Sequence, residues 1–229
     1  MKANFKFVIT ILLLIFNSLS ADDDMVAITV KARGQVKLTR ANQVKSTPIK
    51  NGQILEDQDK IDTGPSSTCA IKFLDDKSLL RIRENSSCTI ETKKEKNVVD
   101  KNIFVNIGSF FADLFKPKGI FQVTTPTSVA SVKGTQFWIL HFFDGRTIYI
   151  CIKGLIDISN DAGRVLLREG QTAEVDSRFE LPKIHITTED EIPIGEEDRT
   201  DVRVLEIGFG GPNNQVKMLK VDIKDLVNE

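Results

Sequence analysis

Short stretches of alternating apolar and polar residues recur between residue 25 and about residue 182. Residues 27–32 and 147–152 show this alternation clearly. Because successive side chains of a strand point to opposite faces, a period of two predicts strands. Polar turn formers separate the stretches, as at residues 75–77 (Asp-Asp-Lys) and 160–163 (Asn-Asp-Ala-Gly), and they predict hairpins. The pattern indicates an all-β body, with its short strands either stacked as a solenoid or packed as a sandwich.

Two segments are open to a helical interpretation. Residues 107–115 fit one or two helical turns, although their aromatic side chains favour a strand equally. Residues 217–227 fit neither period cleanly. Beyond Pro182 an acidic run at residues 187–201 is typical of a solvated linker. We therefore predict a β domain over residues 26–176, and an acidic linker with a mixed or extended C-terminal extension over residues 182–229.

The N-terminal 21 residues have the order of a secretory signal peptide. Lys2 and Lys6 precede a ten-residue apolar run at residues 7–16, and small residues follow up to Ala21. A spanning helix needs about 20 apolar residues, so this run is too short for one. We expect cleavage after Ser20 or Ala21, no transmembrane helix after cleavage, and export to the periplasm or the cell surface.

Charge and metal-binding patterns narrow the function. With 31 basic and 32 acidic residues the chain has a net charge of −1, which argues against a nucleic-acid partner. The two histidines, His141 and His185, lie far apart, and no zinc-ligand spacing occurs. Asp57, Asp59 and Asp62 lack the remainder of a calcium loop and are interpreted as a solvated turn. No metal or cofactor is expected.

No segment has the pattern of a catalytic centre. A Gly-x-Ser-x-Gly motif is absent from the sequence, and nothing selects a pair of carboxylates. Residues 204–211 (VLEIGFGG) are similar to a nucleotide-binding loop, but 18 residues after Gly211 cannot supply the further βα units of such a site. We predict that the protein is not an enzyme; an uncharacterised envelope enzyme is the outlying alternative.

The chain has three cysteines, which are too few for a disulfide-built scaffold. Alternation places Cys69 on one face with Ile71, and Cys88 on one face with Ile90. Both can therefore point into the core from neighbouring strands, and a Cys69–Cys88 bridge is possible. The alternative, which Cys151 shares, is a set of buried free thiols.

Two groups of motifs together cover residues 26–176. The first group runs through residues 34–36 (GQV), 51–55 (NGQIL), 59–64 (DKIDTG) and 66–82. The second contains residues 121–126 (FQVTTP) and 130–137 (ASVKGTQF), and it ends with residues 153–154 (KG) and 169–173 (EGQTA). These motifs resemble the FecR family, whose best local signature is Thr-Pro followed by Val-(Arg/Lys)-Gly-Thr-x-Phe. The matching residues are Thr125, Pro126, Val132, Lys133, Gly134, Thr135 and Phe137.

The sequence departs from the family in two turns. The family usually has glycine where Gln58 stands, and Asp-Gly-Ser where Asp76, Lys77 and Ser78 stand. From the residues themselves, Pro126 marks a strand end, Gly134 breaks a strand and Phe137 re-enters the core. Lys133 is either a ligand contact or a solvated turn lysine, with the second favoured. The resemblance thus supplies a fold and no reactive residue.

The resemblance also implies a class of function. Named FecR-family members are membrane-anchored regulators that relay iron-siderophore signals from an outer-membrane receptor to a cytoplasmic sigma factor. Here the domain begins directly after the predicted signal peptide, so we expect the sigma-contacting segment to be missing. The expected function is an exported, non-catalytic interaction module that binds an envelope protein or polysaccharide. The alternative is a component of a FecR-type relay that acts with a separate membrane partner.

Overall fold

A computed structural model describes residues 25–95, 98–115, 117–193, 204–210 and 216–222, the last two ranges by their backbone. The predicted signal peptide lies outside the described residues, as does most of the acidic run. The described residues contain no helix long and apolar enough to span a membrane.

Strands dominate the described chain. In order they are β1 (Met25–Arg33), β2 (Val36–Thr39), β3 (Thr47–Pro48), β4 (Ile54–Glu56), β5 (Lys60–Thr63), β6 (Thr68–Phe73), β7 (Leu79–Ile82), β8 (Ser87–Glu95), β9 (Val98–Asp113), β10 (Phe121–Thr124), β11 (Val129–Val132), β12 (Gln136–His141), β13 (Thr147–Lys153), β14 (Leu155–Asn160), β15 (Gly163–Arg168), β16 (Gln171–Val175), β17 (Lys183–Ile186), β18 (Val204–Gly210) and β19 (Val216–Asp222). A three-residue 3₁₀ turn at Glu189–Glu191 is the helical element of the described residues. The all-β prediction is confirmed, and residues 107–115 belong mainly to β9 rather than to a helix.

Hydrogen bonds arrange the first seventeen strands in two layers that share β9. Layer 1 has the order β4-β1-β6-β7-β9-β12-β13-β16-β17. Layer 2 has the order β3-β2-β5-β8-β9-β10-β11-β14-β15. The β9–β10 pair is parallel and the others are antiparallel. The N-terminal part of β9 pairs with β8 and β10, and its C-terminal part pairs with β7 and β12.

Gly108 is the point at which β9 passes from one layer to the other. Its φ is +110°, a conformation that side chains with a Cβ rarely adopt. A Cβ at this position would lie 2.1 Å from the Ser86 side-chain oxygen. A glycine is therefore required both by the backbone angle and by the close approach of the β7–β8 connection.

The hydrophobic core lies between the two layers. Alternate residues are buried in most of the strands β1–β16, as the period of two predicts, and the buried apolar ones form one cluster. Phe73 of layer 1 meets Phe121 of layer 2 edge to face, with ring centroids 5.8 Å apart. Of the two arrangements left open by the sequence, this is the sandwich-like one.

The same succession of layers occurs twice along the chain. β5, β6, β7 and β8 lie in layers 2, 1, 1 and 2, and β11, β12, β13 and β14 repeat this order. In each case a five-residue connection joins the central pair, at residues 74–78 and 142–146.

The two turns that depart from the family keep the backbone that glycine would favour. Gln58 and Lys77 both have a φ of +63°. The Lys77 N–H donates to the Phe73 carbonyl at 3.1 Å, and the Gln58 N–H donates to the Ile90 carbonyl at 2.7 Å. The turns are therefore preserved, with two non-glycine residues in a left-handed conformation.

The chain divides into residues 1–187 and residues 188–229, and the first unit contains β1–β17. In the second unit β18 and β19 form an antiparallel pair, with Val204 opposite Asp222. The glycine-rich segment similar to a nucleotide-binding loop is therefore followed by a strand at residues 216–222. The domain limits of 26–176 and 182–229 stay predictions.

Candidate binding surface

The outward face of layer 2 carries a groove of about 550 Å³. We call it the layer-2 groove, and its lining residues are Val98, Asp100, Lys118, Gly119, Ile120, Ser131, Val132, Lys133, Leu155, Asp157 and Leu166. A second depression of about 380 Å³ shares Asp100 and Ile120 with it. The two depressions therefore adjoin at Asp100 and Ile120, and together their lining residues come from β8, β9, β10, β11, β14, β15 and the adjoining connections.

Because of the strand register, a row of mostly polar side chains crosses this surface. Directly paired residues run in the order Glu91, Asn102, Gln122, Ser131, Asp157 and Leu166. The Asn102 amide donates to the Glu91 carboxylate at 2.8 Å, and the Gln122 amide donates to the Ser131 hydroxyl at 3.0 Å. These hydrogen bonds fix the orientation of the side chains before any ligand arrives, which lowers the entropy cost of binding.

Four exposed aliphatic side chains lie in the layer-2 groove, and they are Val98, Ile120, Leu155 and Leu166. Their exposed fractions range from 39% to 55%. Single exposed apolar residues are ordinary, whereas several that share one concave surface indicate an interaction site.

The acidic and the basic side chains of the groove differ in whether they have a partner. Asp157 forms an ion pair with Arg164, and Asp100 accepts the Ile120 N–H at 2.7 Å. Lys118 and Lys133 are exposed, and among the described residues neither ammonium group has a carboxylate partner. Lys133 thus lies at the β11–β12 turn, whereas Lys118 belongs to residues 117–120 on the opposite side, where the Ile120 N–H binds Asp100.

The signature residues predicted from the sequence surround the corner between β11 and β12. Thr135 and Phe137 are fully buried, and the Thr135 hydroxyl donates to the Leu155 carbonyl at 3.1 Å. Gly134 has a φ of +66°, which explains its residue type. Lys133 is the exposed side chain between these buried neighbours, and the corner directs it to the rim of the groove.

Thr125 and Pro126 belong to the turn between β10 and β11. The Thr125 side-chain oxygen lies 3.2 Å from that of Ser128 and accepts the Ser128 N–H at 3.1 Å. Pro126 is exposed and follows the end of β10, as expected for a residue without an N–H. Both residues therefore shape the turn.

A buried ion cluster anchors β9 beneath the second depression. The Lys101 ammonium lies 2.6 Å from the carboxylates of both Asp75 and Asp76. Lys101 and Asp76 are almost fully buried, so each charge depends on the other for compensation. The cluster ties the β6–β7 connection of layer 1 to β9 in layer 2. Sequence reasoning missed it because the partners lie 25 and 26 residues apart.

His141 belongs to a buried hydroxyl network. Its Nδ1 lies 2.9 Å from the Thr147 oxygen, which in turn lies within 3.3 Å of the Thr125 and Thr127 oxygens. Burial lowers the pKa of His141, and burial raises the pKa of Tyr149 at the far end of the network to about 12. His141 and Thr147 are both nearly or fully buried. The network satisfies its own polar atoms and is best interpreted as structural.

The three cysteines point into the core, as alternation predicts for Cys69 and Cys88, and the structure holds all of them as free thiols. It therefore shows no Cys69–Cys88 bridge. Burial raises the pKa of Cys69 to about 12 and that of Cys151 to about 11, and burial also raises the pKa of Cys88. Because the thiolate is the reactive form, these cysteines are poor nucleophiles.

The interpretation of Asp59 as part of a solvated turn is wrong. Asp59 is fully buried, and one carboxylate oxygen accepts from Arg40 and from the Glu56 N–H, each at 2.8 Å. Burial raises its pKa, opposed by these hydrogen bonds and by the Arg40 charge. No cluster of three or more potential metal ligands occurs in the part of the chain that the structure describes.

The family model described as FecR protein matches residues 59–157, which extend from just before β5 into β14. No curated protein matches the chain.

Among solved structures, two crystal structures of a putative anti-sigma factor from Parabacteroides distasonis are similar to this chain. Both are 12% identical to it, and the similarity covers 74% of this chain and 88% of theirs. The TM-scores are 0.48 and 0.47.

Proposed function

We propose that the protein, whose residues 59–157 match the family model described as FecR protein, is an exported, non-catalytic module that binds a protein partner in the cell envelope. The observation that carries the proposal is the layer-2 groove, in which four exposed aliphatic side chains and two exposed lysines share one surface. Such a surface serves recognition without any reactive group.

A protein partner fits the groove better than a polysaccharide does. None of the residues that line the groove is aromatic, and sugar rings characteristically stack on exposed aromatic faces. Aliphatic side chains next to charged ones are instead typical of surfaces that receive peptide segments. Export follows from the N-terminal sequence pattern, and fractionation of cells that express the full chain tests it.

In-cell photocrosslinking tests the binding function. A photoreactive amino acid replaces Leu155 in the groove, and in a matched control it replaces Val44, an exposed apolar residue in the β2–β3 loop. We expect a discrete crosslinked partner from position 155 and none from position 44. Capture of no envelope partner, together with hydrolase activity of the purified protein on envelope substrates, would overturn the proposal.

A signalling relay is the second candidate, and the FecR domain itself favours it. In this case the module would pass a signal to a separate membrane partner. Genes for a sigma factor and an outer-membrane receptor beside this gene would support the relay, and deletion of this gene would then alter transcription by that sigma factor. Unchanged transcription would remove this candidate.

A further inference from the structure

We propose that the layer-2 groove binds an extended, acidic segment of a partner protein that places an aliphatic side chain between carboxylates. This inference rests on the proposed binding function and specifies the chemistry of its partner. It depends on how the groove distributes charge and apolar surface.

Lys133 and Leu155 both line the groove, at the side where β11 ends and β14 begins. Leu155 pairs directly with Arg168, which lies on the same face of layer 2 but outside the lining of the groove. A ligand that covers Leu155 therefore meets one cation in the groove and a second one beside it. The described structure gives the Arg168 guanidinium no carboxylate partner, and Lys118 adds a third cation across the groove.

The acids of the groove do not cancel these cations. Arg164 neutralises Asp157, while Asp100 lies on β9, across the groove from Lys133, and accepts the Ile120 N–H. A carboxylate-bearing ligand therefore gains by lying along β11, β14 and β15 and away from Asp100. This charge complementarity also accelerates encounter and gives specificity.

The apolar part of the groove distinguishes a peptide from a simple anion. Leu155 and Leu166 lie on neighbouring strands, and Ile120 and Val98 extend the apolar surface toward β9. A volume of about 550 Å³ accommodates a few side chains, which is the size of a short extended segment. Inorganic anions would leave this surface exposed to water.

Fluorescence anisotropy with the purified full chain tests the assignment. The probes are a dye-labelled peptide of alternating Asp and Leu, its Asn-for-Asp copy, its Lys-for-Asp copy and a labelled alginate fragment. We expect the acidic peptide to bind, and to bind more weakly as salt screens the charges. The Asn copy should bind more weakly and the Lys copy should not bind.

Charge-reversal variants locate the binding. Lys133→Glu should raise the Kd of the acidic peptide about fivefold. Lys50→Glu is the matched control, because Lys50 is exposed and follows β3 at the opposite edge of layer 2. It should leave the Kd unchanged. Circular dichroism and the melting temperature check that both variants are folded.

Several outcomes overturn the assignment. These are equal weakening by Lys50→Glu, equal binding of the Asn copy, no peptide binding, and binding of alginate in preference to the peptide. If photocrosslinking captures an envelope partner that Lys133→Glu does not affect, the binding function stands and the groove assignment is wrong. If the acidic peptide binds as expected but no envelope partner is captured, the groove assignment stands and the proposed envelope function is wrong.

Discussion

At the scale of single residues, two turns combine a family-like backbone with residues that do not favour it. Gln58 and Lys77 occupy left-handed conformations where the FecR family usually has glycine. A non-glycine residue costs roughly 1–2 kcal/mol in this region, because its Cβ crowds the following carbonyl. The surrounding hydrogen bonds hold both turns in place.

Lys77→Gly should therefore stabilise the protein. Glycine removes the left-handed cost but loses about 0.5–1 kcal/mol through the entropy of the unfolded chain, so we expect a net gain of about 0.5 kcal/mol. Lys77 is exposed, and its side chain has no partner among the described residues. Urea unfolding measures the change. Lys77→Ala keeps the Cβ and serves as the control, and equal stabilisation by Ala would show that backbone strain is not the cause.

At the scale of elements, β9 is the strand that unites the fold. It contributes to both layers and pairs with four other strands. Its passage between layers depends on Gly108, where the backbone turns and Ser86 approaches closely. The sequence pattern left residues 107–115 open between a helix and a strand, and it did not predict the change of layer at Gly108.

Gly108→Ala should destabilise the protein strongly. The left-handed cost of about 1–2 kcal/mol is joined by about 1–3 kcal/mol of overpacking against Ser86. Gly145→Ala is the matched control, because Gly145 has a φ of +89° and a Cβ there meets no atom within 4 Å. We expect Gly108→Ala to lower the free energy of unfolding in urea by about 1–3 kcal/mol more than Gly145→Ala. Equal effects would mean that the close approach of Ser86 does not matter.

At the scale of the whole molecule, the two layers enclose a core, and both layers contribute cysteine side chains to it. Cys69 and Cys151 come from layer 1, and Cys88 comes from layer 2. All three are at most 1% exposed. Their reactivity therefore reports on whether the sandwich is closed.

In the native protein we expect none of the three thiols to react with a thiol reagent within minutes. Burial excludes the reagent and raises the pKa of Cys69 to about 12, so the thiolate is scarce at neutral pH. Unfolding in guanidinium should release three reactive thiols, counted by mass spectrometry after alkylation. One reactive thiol after unfolding, with a mass lower by two hydrogens, would instead reveal a Cys69–Cys88 bridge.

The sequence by itself determined the strands, the turns and the faces on which side chains lie. Alternation depends on neighbouring residues alone, so it placed Cys69 and Cys88 correctly inside, and the turn formers at residues 160–163 predicted the hairpin there. The signature at residues 125–137 is local for the same reason, because its buried Thr135 and Phe137 define one corner, and the FecR family model matches residues 59–157 around it.

Only the tertiary structure decided which distant residues meet. The Lys101 cluster, the burial of Asp59 and the layer-2 groove all join segments that lie far apart in the sequence. Their assembly depends on strand register across the whole sheet, and no local period encodes that register. The residue type alone left Lys133 as either a ligand contact or a solvated turn lysine. In the structure Lys133 lies at the rim of the layer-2 groove with Leu155, where it can contact a ligand.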